Sequence, residues 1–145
     1  MIPIVLIDDY PLAMNGIGAW LVSTGRFSIL GTAGTLAEAR ELINTLPVMP
    51  RIIILDISLG PEDGLEFIPI VKEICQKKNI SAPGILVCSM YGDPFIVKRA
   101  VDSGAGAYIS KTDDSGEIFK AIDALLEGRT FFNSRYQISR AASGN

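Results

Sequence analysis

The sequence predicts a doubly wound α/β sandwich, a five-stranded parallel sheet with helices on both faces. Three observations carry this reading. Five short apolar runs recur along the chain, and each is followed by a longer stretch with helical periodicity. Most of the runs are continuous in apolar residues rather than alternating, as parallel strands covered on both sides are. The links between runs and periodic stretches are short, which suits successive β-α units.

The strands are read at "IPIVLI" (2–7), "FSILGTA" (27–33), "RIIILDI" (51–57), "GILVCSM" (84–90) and "GAYIS" (106–110). Pro11 suits the first turn of a helix running to about Thr24 and closed by Gly25. "TLAEARELINTLP" pairs Thr35 with Glu38 at capping-box spacing and stops at Pro47. A third helix is expected from near Gly64 to about Lys78, with a late start or a bend because Pro69 lies near its first turn. In "DPFIVKRAVDSG", Asp93 is the expected cap, Pro94 the first helical residue and Gly104 the residue just past the end. "DSGEIFKAIDALLEG" offers Asp114 with Glu117, then an apolar stripe of Ile118, Ala121, Ile122 and Leu125. Five such units wind most simply into the flavodoxin-like strand order 2-1-3-4-5. Residues 1–128 read as one domain. Residues 129–145 lose the periodicity, end in small polar residues, and read as a C-terminal tail or the start of a linker.

Composition narrows the function. A chain of 145 residues holds one domain with a sizeable core, and 48% hydrophobic with 20% charged residues is a globular balance, not a disordered one. A net charge of −3 argues against a nucleic-acid surface. No stretch approaches the roughly 18 unbroken apolar residues of a membrane span. The apolar opening lacks a basic leader and a cleavage site, so it reads as a strand and not as a secretory signal. Cys75 and Cys88 fall in a helix and a buried strand, as reduced thiols of a cytoplasmic protein would. The chain has no histidine, which removes His triads, His-ligated zinc and His general bases.

What remains is carboxylate chemistry. In an open α/β sheet, ligands bind beyond the carboxyl ends of the strands, where the winding reverses. The first strand ends in Asp8 and Asp9, the third in Asp56, the fourth in Ser89 and the fifth in Lys111, while the second ends in uncharged "GTAG". Three gathered carboxylates repel unless a cation joins them, and an oxygen-only cluster suits Mg²⁺. The formal sum is then near neutral: −3 from Asp8, Asp9 and Asp56, +1 from Lys111 and +2 from the ion. Such a site suits phosphoryl transfer, which depends on positioning and on neutralising the phosphoryl oxygens. Asp56 is the expected nucleophile, forming an aspartyl phosphate. Asp8 and Asp9 hold the metal, and Lys111 and Ser89 meet the phosphoryl oxygens.

Each residue has a plainer reading on its own. Asp9 before Tyr10-Pro11 could cap a helix, a terminal serine usually satisfies local backbone, a lone lysine is usually solvated, and Tyr108 could be a half-buried strand aromatic. Complementary groups on four of five strands, all at the same ends, carry the argument. A flavodoxin-like cofactor binder would need a glycine- and hydroxyl-rich loop where "DDYPLAM" stands. A phosphohydrolase would need a second catalytic acid and a cap over the substrate. A docking module that is never phosphorylated would not need all of these groups.

Taken together, "DD", "LDISLGPEDGLE", "CSMYGDP" and "GAGAYISKTD" make residues 2 to about 128 closely resemble the receiver domain of bacterial two-component response regulators. The resemblance implies that a sensor histidine kinase phosphorylates Asp56. It implies that Asp8, Asp9, Asp56 and the backbone carbonyl of Ser58 bind Mg²⁺, and that Lys111 is the family lysine. Ser89 and Tyr108 would form the switch, the hydroxyl moving towards the phosphate and the aromatic rotating inward. The protein would then be a switch and not an enzyme, limited to self-catalysed phosphorylation and dephosphorylation. Gly60 followed by Pro61 replaces the family's usual proline, though Gly64 keeps its spacing, and Thr112 replaces the proline after the lysine, so both loops should differ. "GAGAY" and "KTD…EIFKAIDALLEGRTFF" resemble the class with a LuxR-type helix-turn-helix output, which this chain does not include. DNA contact would come only through that output domain, and phosphorylation would favour a homodimer. Tyr91, two residues after Ser89, should flank the path of hydrolytic water with Ser58 and slow dephosphorylation relative to Tyr91→Ala.

Overall fold

The computed structural model describes residues 1–90, 94–113 and 115–132. The elements run β1 (Ile2–Ile7), α1 (Pro11–Ser23), β2 (Phe27–Ala33), α2 (Leu36–Thr45), β3 (Ile52–Leu55), β4 (Ser58–Leu59) and β5 (Glu62–Asp63). A 3₁₀ turn (Gly64–Glu66) leads into α3 (Phe67–Lys78), then β6 (Gly84–Ser89), α4 (Pro94–Ser103), β7 (Ala107–Ser110), α5 (Ser115–Leu126) and β8 (Phe131–Phe132). The main sheet has the order β2-β1-β3-β6-β7-β8, and every pairing in it is parallel. The five expected strands are β1, β2, β3, β6 and β7, and they stand in the expected 2-1-3-4-5 order.

The continuous apolar runs serve both faces. Along β3, Ile53 and Leu55 join a core under α2, α3 and α4, while Ile52 and Ile54 join one under α1 and α5. Such a strand has no solvent side, which is why its sequence does not alternate. Cys75 of α3 and Cys88 of β6 are buried free thiols, one in each core.

Helix ends follow local chemistry. Thr35 Oγ1 accepts from the Glu38 amide at 3.1 Å, and Glu38 Oε1 accepts in return from the Gly34 amide at 2.9 Å, one residue earlier than the usual reciprocal partner. The 3₁₀ turn delays α3 until Phe67, the late start expected from Pro69. The caps expected at Asp93 and Asp114 lie outside the described residues. Among those described, no helix is long and apolar enough to cross a membrane.

The sheet carries one strand more than expected. Phe131–Phe132, read from sequence as part of the tail, pairs with β7, and the Phe131 amide donates to Gly106 O at 3.0 Å. The physical reason is the open flank of β7, whose unpaired backbone groups take any short extended segment that follows α5. Residues 133–145 of the expected tail lie outside the described residues.

Candidate functional site

Parallel pairing of β1 with β2 and β3 brings the strand tips level. The Asp8 amide donates to Ala33 O at 3.0 Å, and the Asp56 amide donates to Ile7 O at 2.9 Å. Both acids are buried, with 6% and 7% exposure. Ionised carboxylates are costly there unless paired, and Lys111 supplies the partner from the end of β7. Its Nζ lies 2.7 Å from Asp8 Oδ2 and 2.8 Å from Asp56 Oδ2. The remaining oxygens take backbone donors: Tyr10 N reaches Asp8 Oδ1 at 2.9 Å, and Ser58 N reaches Asp56 Oδ1 at 3.1 Å.

Asp9 is exposed, and it does not cap α1. The cap residue there is Tyr10, with no side-chain bond. Asp9 Oδ2 instead accepts from the Gly60 amide at 2.8 Å, across from β1 to the loop after β3. One oxygen from each of Asp8, Asp9 and Asp56 lies within 4.8 Å of the others. Oxygen-only donors at that separation fit a hard divalent cation better than a soft one. The four charged groups sum to −2 (−3 from the acids, +1 from Lys111), a charge that one dication cancels.

Burial pushes the Asp56 carboxyl above its ordinary range; the bonds from Lys111 and the Ser58 amide pull it down without fully offsetting the burial, and Asp8 adds to the rise. For Lys111, burial acts to lower the pKa, but bonding to Asp56 and Asp8 outweighs it and the ammonium is held above its usual range. Beside the pocket, burial pushes the Cys88 thiol up to about 12, so it stays protonated.

Two loops set this geometry. β4 and β5 form an antiparallel ribbon joining Ser58 to Asp63 and Leu59 to Glu62. Its turn holds Gly60 at φ +60°, the left-handed region, which is how a glycine-proline pair replaces the family's usual proline. At Gly64 a Cβ would stand 1.9 Å from the backbone oxygen of Asp56, so only glycine lets the chain double back under the pocket. Glu62 Oε1 accepts from the Leu36 amide at 3.0 Å, and Asp63 pairs with Arg99 of α4, so the ribbon is tied on both flanks. The second loop carries Lys111. Its amide donates to Ser89 O at 2.7 Å, Ser110 N donates to Asp113 Oδ2 at 2.8 Å, and the Ser110 and Thr112 hydroxyls lie 2.8 Å apart. Side-chain hydrogen bonds thus shape the turn in which Thr112 replaces proline, and no cis peptide occurs among the described residues.

The expected site residues divide into two groups. Asp8, Asp9, Asp56 and Lys111 converge, and the Ser58 amide meets Asp56. Ser89 closes β6, wholly buried and in register with Ser110. Tyr108 is also wholly buried, in the core beneath α4, and not the half-buried aromatic of the plainer reading. Tyr91 lies outside the described residues. The supporting roles of Gly60, Glu62, Asp63 and Asp113 went unread; a hint of one lies in "SKTD", where serine and aspartate sit three apart at a turn.

The response regulator receiver domain family matches residues 4–123. The chain belongs to that family. Its curated relatives include the transcriptional regulatory protein LiaR of Bacillus subtilis, 30% identical over 93% of this chain and 61% of LiaR. The DNA-binding transcriptional activator EvgA of Escherichia coli is 30% identical over 88% of this chain and 59% of EvgA. The receiver therefore spans about three fifths of the length of these relatives. Among solved structures, a LuxR-family response regulator from an Aurantimonas species superposes with TM-score 0.82 at 25% identity, covering 98% and 96% of the two chains. The isolated receiver of RcsB from Salmonella enterica, with phosphomimetic BeF₃⁻, superposes at 0.76 and 22% identity, covering 95% and 97%. Receivers of this class are phosphoacceptor signalling switches that relay to an output domain.

Proposed function

We propose that Asp56 is the phosphoacceptor of this receiver and that a sensor histidine kinase is the donor. One observation carries the reading: a single ammonium bridges two buried carboxylates from different strands, with a third carboxylate within 4.8 Å. In the transfer, a carboxylate oxygen of Asp56 attacks phosphorus, the O–P bond forms, and the P–N bond to the donor imidazole breaks, leaving the imidazole nitrogen with the electron pair. Lys111, held between Asp8 and Asp56, follows the charge onto a phosphoryl oxygen. The Ser58 amide fixes the Asp56 carboxyl for approach, and the Ser89 hydroxyl stands at the neighbouring strand end to meet the phosphoryl group.

Asp8, Asp9, Asp56 and the Ser58 carbonyl form the set that would hold Mg²⁺, which when bound neutralises phosphoryl oxygens. The Tyr10 amide keeps Asp8 and the Gly60 amide keeps Asp9 in place for that purpose. The signal then passes through Ser89 and Tyr108 to an output that regulates transcription, as in the longer relatives, with a phosphorylation-favoured homodimer in the cytoplasm. The switch domain, read from sequence as residues 1–128, extends through β8 to Phe132, and the segment after it would lead to the output. The test is incubation with acetyl phosphate and Mg²⁺, followed by intact-mass measurement. Wild type gains a phosphoryl increment and Asp56→Asn does not; no increment in wild type, or an equal one in the variant, sinks the assignment.

A further inference from the structure

We propose that Phe132 is a positioning residue for Tyr108, and that β8 is docked or released according to where that ring lies. This rests on the phosphoacceptor reading above and adds a route from the switch to the edge strand of the sheet.

β7 has a neighbour on each side. Tyr108 stands in register with Val87 of β6 on one flank and with Phe132 of β8 on the other. Register partners in a parallel pair present their side chains on the same face, about 4.8 Å apart. Val87, Tyr108 and Phe132 accordingly share one buried core with Val97 and Ala100 of α4. Tyr108 is 0% exposed and Phe132 2% exposed. Phe131 points the other way, packing against the core beneath α1 and α5. Without β8 the sheet would end at β7, and the Tyr108 ring would have an open flank. Phe132 closes it.

The consequence is mechanical. A Tyr108 ring swinging outward at that edge needs the volume that Phe132 fills, so the outward position requires β8 to leave. A two-residue strand is marginal by itself and depends on such side-chain packing. Anything that favours the buried ring therefore favours a docked β8, and by linkage a docked β8 favours whatever the buried ring favours. Phosphorylation is expected to draw the ring inward, so the two effects have the same sign.

Hydrogen exchange and binding of beryllofluoride with Mg²⁺, on the full chain, test this. The analogue should slow exchange of the Phe131 amide, which bonds to Gly106 O. Phe132→Ala should weaken beryllofluoride binding by about three- to tenfold, and Phe132→Leu should recover most of it. Equal affinity in wild type and Phe132→Ala, or unchanged Phe131 exchange, overturns the proposal while leaving Asp56 as phosphoacceptor. Should Phe132→Ala not fold, the wild-type exchange result alone decides. Wild type that fails to bind the analogue, or binds it equally after Asp56→Asn, overturns both readings.

Discussion

The pocket has an inner and an outer half, built differently. In the inner half, Asp8 and Asp56 are buried on adjacent strand tips and held by an ammonium at 2.7 and 2.8 Å. In the outer half, the exposed Asp9 is held by one amide from the tip of the β4–β5 ribbon. Buried charges tolerate little change, because a lost partner leaves an uncompensated ion in a poorly solvated place. An exposed carboxylate that loses an amide regains water. The inner half should therefore govern stability, and the outer half should adjust ligand geometry at small energetic cost.

The two glycines under these halves sharpen the contrast most. Gly64→Ala should be the most damaging change: its Cβ would overlap the Asp56 backbone oxygen at 1.9 Å, and relief requires moving the strand tip. A loss of about 3 kcal/mol or more is expected in urea unfolding. Lys111→Met comes next, at about 3 kcal/mol in the metal-free protein, with part of the loss recovered on adding Mg²⁺ because a dication again compensates the acids. Gly60→Ala should cost only about 1 kcal/mol, the strain of a left-handed alanine. Its Cβ makes ordinary contact with Asp9 Oδ2 at 3.8 Å and the amide still donates. Mg²⁺ affinity measured by calorimetry should stay within about twofold. If Gly60→Ala proves as damaging as Gly64→Ala, the division into halves is wrong.

The inner half was the more legible in sequence. Asp8, Asp56 and Lys111 announce themselves because strands buried on both faces make a terminal charge conspicuous, and their side chains do the work. The outer half depends on the Gly60 amide, a donor that nearly every residue owns, so no residue type could mark it. β8 was missed for a related reason. Two phenylalanines have no period, and what pairs them is the open flank of β7, a property of the assembled sheet. The resemblance marks Tyr108 as an expected switch residue, but its register with Phe132, twenty-four positions further on, belongs to the assembled sheet and has no mark in the sequence.

The smallest expected effect tests the inner half through pH. In the unfolded chain Asp56 titrates near 3.8, while in the fold burial keeps its proton to higher pH. Between those two values the folded state binds more protons than the unfolded state, so unfolding free energy falls as pH rises. Asp56→Asn cannot ionise and lacks this slope. Carboxylates remote from the pocket, such as Glu73, whose bond to Lys77 lowers its pKa, contribute to both proteins alike and cancel in the difference. In EDTA, the stability of wild type minus that of Asp56→Asn should therefore fall as pH rises from about 3.8. Mg²⁺ at neutral pH should raise the stability of wild type more than that of the variant, because only the folded wild type offers it all three carboxylates. A difference that stays flat with pH would place Asp56 among the solvated acids, and the inner half would lose the property that separates it from the outer one.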